Sequence, residues 1–525
     1  MTTIRDAAFS LLRRHGMTMM FGNPGSNELR FLQDFPSDFR YILGLHEGAV
    51  MAMADGYAQA SGRAPLVSLH SAAGTGSSMG VLSNTVYSKS PVVVLSGQQV
   101  RDTVGQEVMV ASHDAAQLPR PLSKWSTEPL SSGDVVRSLA QAIHLANLAP
   151  KGPTHISVPY DDWDQDAGEN PDFVVRRAVT DATALADRHL AEITASLDAA
   201  RSPVLVLGPE VDARHANGDA VRLAERLGAP VWIAPSPARC PFPTTHPLFQ
   251  GVLPANVTGI AKLLAGHDVV LVLGAPVFRY HHQHPGRYLA DSSRLIHISD
   301  DPSEVTRAPF GDAYLAPVDD AVARLADSVA PRSTPPPTRA DRTAGLDCPD
   351  RMHPDTVFRT ISALAPEDAI HVVESTSTAE AFWSNVAIRH QGSFYSAAAG
   401  GLGFGLPAAV GVQLAQPGRH VVASIGDGSA NFGLVGLWTA ARYRIPVTFV
   451  ILRNGTYGAL EGFGRRLSAT GLPGFELPDI DFVRLANGYG VAAESVSTEA
   501  DFRDALTKAF AADEPVLIEA QTFYA

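Results

Sequence analysis

Val421-Val422-Ala423-Ser424-Ile425-Gly426-Asp427-Gly428-Ser429-Ala430-Asn431 is the stretch that decides how this chain folds. A short, mainly apolar run passes straight into a carboxylate set between two glycines. Such a run predicts a strand buried on both faces of a parallel sheet, and the glycines allow a tight turn close to a ligand. Alone, Gly-Asp-Gly is also a common turn sequence. The following apolar run, 447–452, removes the ambiguity by ending in Arg453-Asn454-Gly455-Thr456-Tyr457-Gly458. Asp427 and Asn454 stand 27 positions apart, one strand–helix–strand unit, so both reach the carboxyl ends of adjacent parallel strands. The Asp427 carboxylate, the Asn454 side chain and the Thr456 carbonyl then offer hard oxygens to a magnesium ion, and calcium fits the same set. A helix beginning near Ser429 would direct its positive end at a bound phosphate group.

The same pattern extends outward in both directions. Apolar runs at 18–21, 41–45, 66–69, 92–95 and 155–158 form a first block. Those at 204–207, 231–234, 269–273 and 295–298 form a second, and those at 370–373, 421–425, 447–452 and 516–520 a third. Helical patterns separate them, which predicts an α/β chain of three doubly wound domains with mostly parallel sheets. The expected domains are 1–180, 181–341 and 342–525. Residues 164–177 turn from acidic to basic, and residues 330–347 contain Pro335, Pro336 and Pro337, the composition of a semi-rigid linker. Open α/β sheets bind ligands beyond the carboxyl ends of their strands, so the residues after each run are the candidates. In the first block these are Gly22-Asn23-Pro24-Gly25-Ser26-Asn27-Glu28, His46-Glu47-Gly48 and His70-Ser71-Ala72-Ala73-Gly74-Thr75-Gly76. In the second they include Arg279-Tyr280-His281-His282-Gln283-His284. Chemically capable groups gather at one end of strand after strand.

Composition narrows the class. A chain of 525 residues, 45% hydrophobic and 18% charged, can build a large globular interior. A net charge of −13 opposes nucleic-acid binding, which needs a basic surface. No apolar stretch reaches the roughly 18 residues of a membrane span. The N-terminus reads as an amphipathic helix, with Ile4, Ala8, Leu11 and Leu12 at helical spacing, rather than as a signal peptide. Cys240 and Cys348 are too few for a disulfide framework, so a reducing cytoplasm is the expected location.

Gly426-Asp427-Gly428 followed by Asn454, with Glu47 after a first-block strand, resembles the signature of the thiamine diphosphate-dependent 2-oxo acid decarboxylases. The resemblance covers nearly the whole chain, as a pyrimidine-binding, a central and a diphosphate-binding domain in that order. It is narrowest with the benzoylformate-cleaving branch, through residues 21–28, 69–76, 158–163, 274–281 and 398–404. It implies a lyase that decarboxylates an aromatic 2-oxo acid, such as benzoylformate in mandelate breakdown, to the aldehyde and carbon dioxide through an enamine. Glu47 is implied to hydrogen-bond the coenzyme's pyrimidine and favour the tautomer that deprotonates the thiazolium. Ser26 is implied to bind the substrate carboxylate, and His70 and His281 to move protons. Leu402, beside Gly400, is implied to hold the coenzyme bent, and Thr376, Ser377, Gly428, Ser429 and Tyr457 to hold its diphosphate. Val110, Ser396, Leu460 and Phe463 are implied to line the substrate pocket. The coenzyme is implied to lie between the first domain of one subunit and the third domain of another, in a homo-oligomer whose expected form is a tetramer.

Each residue also has a plainer reading. Ser26 suits a helix N-cap, Glu47 a first-turn acid at a helix dipole, and His70 a strand-end histidine satisfied by backbone. Leu402, Leu460 and Phe463 could be core. His281, His282 and His284 could by composition bind a metal, but no cysteine or carboxylate stands at suitable spacing, so zinc is not expected. Three departures from the family pattern stand out. Arg453 occupies a place where a second asparagine is common, Ser396 stands where an aromatic is usual, and Glu461 and Gly462 replace bulkier residues. A roomier or more polar pocket follows, and such changes shift substrate preference by about 1–3 kcal/mol. Decarboxylation of another 2-oxo acid and carboligation of the acetolactate synthase type are the alternatives; a flavin motif around Gly208 or Gly274 is lacking. Oxalyl-CoA decarboxylation would need a basic cluster for ADP in the middle domain. A binding protein without turnover would have no use for Glu47, Asp427 and Asn454 together.

Overall fold

In the computed structural model, which describes residues 2–168, 171–280, 286–332 and 344–523, the apolar runs become three parallel sheets of six strands each. The first contains β1 (Met19–Gly22), β2 (Arg40–Leu43), β3 (Leu66–Leu69), β4 (Val93–Gln98), β5 (Trp125–Thr127) and β6 (Thr154–Pro159), in the order β2-β1-β3-β4-β6-β5. The second contains β7 (Pro203–Leu207), β8 (Val231–Ile233), β9 (Phe249–Val252), β10 (Val269–Leu273), β11 (Arg294–Ser299) and β12 (Asp312–Leu315), ordered β12-β11-β10-β7-β8-β9. The third contains β13 (Ile370–Glu374), β14 (Phe394–Ser396), β15 (Val421–Gly426), β16 (Val447–Arg453), β17 (Ala492–Val496) and β18 (Val516–Gln521), ordered β14-β13-β15-β16-β18-β17.

In each sheet the strands are laid down first to one side and then to the other of a central pair, β1 and β3, β7 and β10, or β13 and β15. At those points successive loops leave toward opposite sides and open a crevice. Every apolar run singled out in the sequence is a strand. The strands without such a run, β5, β9, β12, β14 and β17, are all sheet edges. β12 and β17 show why: most of their residues are wholly or partly exposed, so no continuous apolar run marks them. The stretch expected to link the first two domains contains a helix, Pro171–Arg176, whose Val174 and Val175 pack on the first-domain core. Pro335, Pro336 and Pro337 lie outside the described residues. No helix among the described residues is long and apolar enough to cross a membrane.

Specific contacts key the domains together. Helix Glu47–Ser61 of the first domain packs on helix Gly405–Ala415 of the third. At their crossing a Cβ on Gly411 would lie 1.9 Å from the Met53 carbonyl oxygen, so no larger residue fits. Arg239 touches all three domains. Its buried guanidinium donates to the Asp212 carboxylate at 2.9 Å and the Gln59 carbonyl at 2.6 Å, and lies 5.0 Å from the centre of the Tyr395 ring. Lys89, from the first domain, bonds Glu210 and lies 3.2 Å from Asp301 and 3.3 Å from Glu304, all in the second. These carboxylates hold its ammonium in the charged form despite burial.

A Gly411→Ala chain is expected to lose about 1–3 kcal/mol of stability through overpacking, read as an earlier urea midpoint. An unshifted midpoint would mean that the two helices separate at no cost.

Candidate active site

The turning point of the third sheet collects one set of functional groups. β13 ends in Glu374-Ser375-Thr376-Ser377, β15 in Gly426-Asp427-Gly428-Ser429, and β16 delivers Asn454 and Thr456 alongside. The Asp427 carboxylate is buried and accepts backbone N–H bonds from Gly428 at 2.9 Å, Asn454 at 3.1 Å and Gly455 at 2.7 Å. Burial pushes its pKa up, and the three N–H donors pull it back. The Asn454 side-chain oxygen accepts from the Thr456 N–H at 2.9 Å. Among the described residues no lysine, arginine or histidine forms an ion pair with Asp427; the nearby Arg453, which favours its charged form, pairs with Glu519 instead. A carboxylate in that position, with an amide and a carbonyl beside it, fits a hard divalent cation. Among the described residues no three His, Cys, Asp or Glu side chains gather as a metal site. The helix expected from Ser429 starts two residues earlier and is a single turn, Asp427–Ala430.

These groups line one cavity of about 980 Å³. Its wall brings Asp427, Asn454 and Thr456 together with Thr376, Ser377, Gly400, Leu402, Gly428, Ser429 and Tyr457, and also with Ser396, Leu460 and Phe463. The loop that carries Leu402 is clamped from both sides. Asn84 of the first domain donates to the Gly401 carbonyl at 2.7 Å and accepts from the Ala399 and Gly401 N–H groups at 3.0 and 3.2 Å. From below, the buried Glu374 carboxylate accepts from the N–H groups of Phe404 at 3.2 Å and Gly405 at 3.0 Å, at the start of helix Gly405–Ala415. Neither Asn84 nor Glu374 is marked by sequence pattern, because each acts on a segment distant along the chain.

A second set stands at the turning point of the first sheet, between β1 and β3. Ser26 opens a 3₁₀ turn, Ser26–Glu28, for which Gly25 is the cap, so the plainer reading of Ser26 as an N-cap does not hold. The capping carboxylate is Glu28, which accepts from the Gly25 N–H at 2.8 Å. The Ser26 hydroxyl is exposed, and its bond is a long one to Asn27 at 3.4 Å. His70 follows β3 directly, with Nδ1 3.0 Å from a Glu28 oxygen, a carboxylate partner rather than the backbone partner of the plain reading. Glu47 is half-buried at the first position of helix Glu47–Ser61 and accepts from the Asn23 amide at 3.3 Å. Val110, grouped by resemblance with Ser396, Leu460 and Phe463, stands beside this first set within the chain. Its φ of 59° is costly for a β-branched residue, and its carbonyl is held by Ser71 at 2.8 Å and Asn27 at 3.2 Å. His281, with His282 and His284, lies outside the described residues. Within one chain the two sets stay apart: the cavity around Asp427 is lined by none of Ser26, Glu47 and His70.

Burial pushes Glu374 up to about 7. An unfolded glutamate ionises near 4.5, so between pH 4.5 and 7 the folded chain retains a proton that the unfolded chain has lost. Its contribution is therefore fully present below pH 4.5 and lost as pH rises to 7, by up to about 3 kcal/mol. Urea unfolding across that window is expected to show a shallower pH slope in Glu374→Gln; identical slopes would remove Glu374 as the titrating group.

Comparison with known proteins agrees with this architecture. Residues 2–118 match the N-terminal TPP binding domain of thiamine pyrophosphate enzymes, residues 190–325 their central domain and residues 375–520 their C-terminal TPP binding domain. Thiamine pyrophosphate is another name for thiamine diphosphate. The benzoylformate decarboxylase of Pseudomonas aeruginosa is 54% identical over 99% of this chain and 99% of its own. The solved thiamine diphosphate-dependent 4-hydroxybenzoylformate decarboxylase of Rhodococcus jostii RHA1 superposes with a TM-score of 0.98 at 54% identity, covering 100% of this chain and 99% of that one. A probable acetolactate synthase large subunit of Methanocaldococcus jannaschii is 27% identical over 98% of this chain and 91% of its own. With all three domains matched in order and the likeness running end to end, the chain belongs to the thiamine pyrophosphate enzyme family.

Proposed function

We propose that this protein is a carboxy-lyase that removes carbon dioxide from an aromatic 2-oxo acid, benzoylformate or its 4-hydroxy form, and releases the aldehyde. The observation that carries the reading is the oxygen set of Asp427, Asn454 and Thr456 in one cavity with Leu402, Ser396, Leu460 and Phe463, in a chain alike end to end to a benzoylformate decarboxylase. In this reading the three oxygen donors would hold magnesium, or calcium in its place, and the ion would neutralise charge on the diphosphate. Thr376, Ser377, Gly428, Ser429 and Tyr457 surround that diphosphate, and Gly400 and Leu402 support the rest of the coenzyme. Bound thiamine diphosphate supplies the nucleophilic carbon and the electron sink that loss of carbon dioxide requires. Glu47 holds a proton at the pyrimidine, Ser26 donates to the substrate carboxylate, and His70, with His281, exchanges protons with the substrate oxygen and carbon.

Leu460 and Phe463 flank the aryl ring, and Ser396 gives the far wall a hydroxyl, which donates to the Pro237 carbonyl at 2.9 Å. A 4-hydroxyl on the substrate would meet a polar partner there. Because the two sets of groups do not share a cavity in one chain, the complete site is formed by the first domain of one protomer and the third domain of another. Leu45, Met109 and Val110 beside the first set, and Phe432 and Leu460 beside the second, are exposed apolar surface that such a partner would cover. A cytoplasmic homotetramer is the proposed assembly. The flavin expected of an acetolactate synthase type has little space: at the second sheet's turning point Lys89, Glu210 and Glu304 leave a cavity of about 50 Å³, against roughly 300 Å³ or more for a ligand site.

Purified protein supplied with magnesium and thiamine diphosphate is expected to release carbon dioxide from benzoylformate and 4-hydroxybenzoylformate far faster than from pyruvate or phenylpyruvate. Preference for pyruvate, or a flavin spectrum, would overturn the reading. Glu47→Gln is expected to keep the fold and lose at least about 100-fold in kcat, in line with removal of a general acid–base group; full activity would break the proposed proton path.

A further inference from the structure

Behind the first set of groups lies a buried carboxylate to which the reading above gives no task. Glu28 is 3% exposed. One of its oxygens accepts from the Gly25 N–H at 2.8 Å and lies 3.0 Å from His70 Nδ1, and the other accepts from the Gly97 N–H at 3.0 Å. The surroundings are shaped to this arrangement. A Cβ on Gly25 would fall 2.2 Å from His70 Nδ1, and a Cβ on Gly97 would fall 2.1 Å from the Glu28 carboxylate. Both neighbours must lack a side chain for ring and carboxylate to meet.

Burying a carboxylate costs several kcal/mol unless donors compensate it. Burial pushes the Glu28 pKa up, while Gly25, His70 and Gly97 favour the charged form. The plainer reading makes Glu28 the cap of its own turn, Ser26–Glu28. That accounts for the bond to Gly25. It does not account for the bonds to His70 and to Gly97 on β4, or for the two missing side chains.

We propose that Glu28 is the positioning residue of His70: its carboxylate accepts the Nδ1–H, fixes the ring's tautomer and orientation, and leaves Nε2 to exchange a proton with the substrate. The inference rests on the decarboxylase reading. When Nε2 takes a proton the ring becomes an imidazolium, whose charge the adjacent carboxylate stabilises. When Nε2 gives the proton back, the ring returns to the neutral Nδ1–H form. Glu28 itself is never protonated in the cycle; it acts as the orienting partner of an acid–base histidine. Because the same carboxylate holds the Gly25 N–H, the Ser26 turn and the His70 ring share one anchor.

The test is a double-mutant cycle on the holoenzyme, with saturating magnesium and thiamine diphosphate and benzoylformate as substrate. Glu28→Gln is expected to lower kcat by about 10- to 100-fold with KM within about threefold, as for other partners of functional histidines. Added to His70→Ala, the same change is expected to cost less than about threefold more, since a residue that acts through His70 has nothing left to act on. Equal losses in both backgrounds, or no loss in either, would overturn the proposal. An independent readout needs no variant: nitrogen-15 spectra of histidine-labelled wild-type holoenzyme are expected to show the neutral His70 ring as the Nδ1–H tautomer. An Nε2–H tautomer would overturn the proposal even if Glu28→Gln failed to assemble. Wild-type protein inactive on every 2-oxo acid would instead defeat the decarboxylase reading, and the tautomer would still decide the contact between Glu28 and His70.

Discussion

Two helices of small residues, pressed together until backbone meets backbone, set the frame in which everything else stands. Helix Glu47–Ser61 begins with the carboxylate assigned to the coenzyme's pyrimidine, and helix Gly405–Ala415 begins just after the loop that carries Leu402. Their close crossing at Gly411 fixes how far the first sheet lies from the third. Polar contacts extend the seam on either side. Leu43, at the end of β2, donates its N–H to the Tyr443 hydroxyl at 3.0 Å and receives the Thr439 hydroxyl on its carbonyl at 3.0 Å. Asn84 continues it to the Leu402 loop. A rigid seam of this kind holds a chain's two functional sets at a constant separation.

The electrostatics follow a common design. Asp427 and Glu374 are buried carboxylates compensated chiefly by backbone N–H groups rather than by lysine or arginine. Backbone donors cannot swing away or exchange partners, so they hold a carboxylate in place without cancelling its charge. That leaves Asp427 able to attract a cation, and it lets Glu374 respond to pH within the physiological range. The contrast is Lys89, where three carboxylates converge on one ammonium between two domains and the crevice is filled.

The inner strands could be read from the chain because burial on both faces demands continuous apolar runs; of the six edge strands only β2 carried such a run, and the exposure of β12 and β17 shows how the signal is lost. The site was legible in the same degree. Asp427, Asn454 and Thr456 announce themselves because the chemistry sits at strand ends a fixed spacing apart, and the cavity indeed joins them to Leu402, Ser396, Leu460 and Phe463. The plainer reading of Ser26 as a cap fails because the motif it belongs to contains a better one, Glu28 three residues after Gly25. Asn84 and Glu374 carried no local signal: the first meets its loop 317 positions away and the second 30, and only the folded chain brings them there. Val110 stands with the first set in a single chain; likeness to a family names the lining of a pocket without saying which domain supplies each residue.

Arg239 has a consequence for how such chains can be recombined. Its guanidinium is anchored on an acid of its own domain, a main-chain carbonyl of the first and an aromatic face of the third. A central unit borrowed from a distant cousin and lacking that cation would leave a naked ring and an idle carbonyl on the two halves it was meant to join. Modular as the three layers look on paper, shuffling them requires carrying a single rivet along.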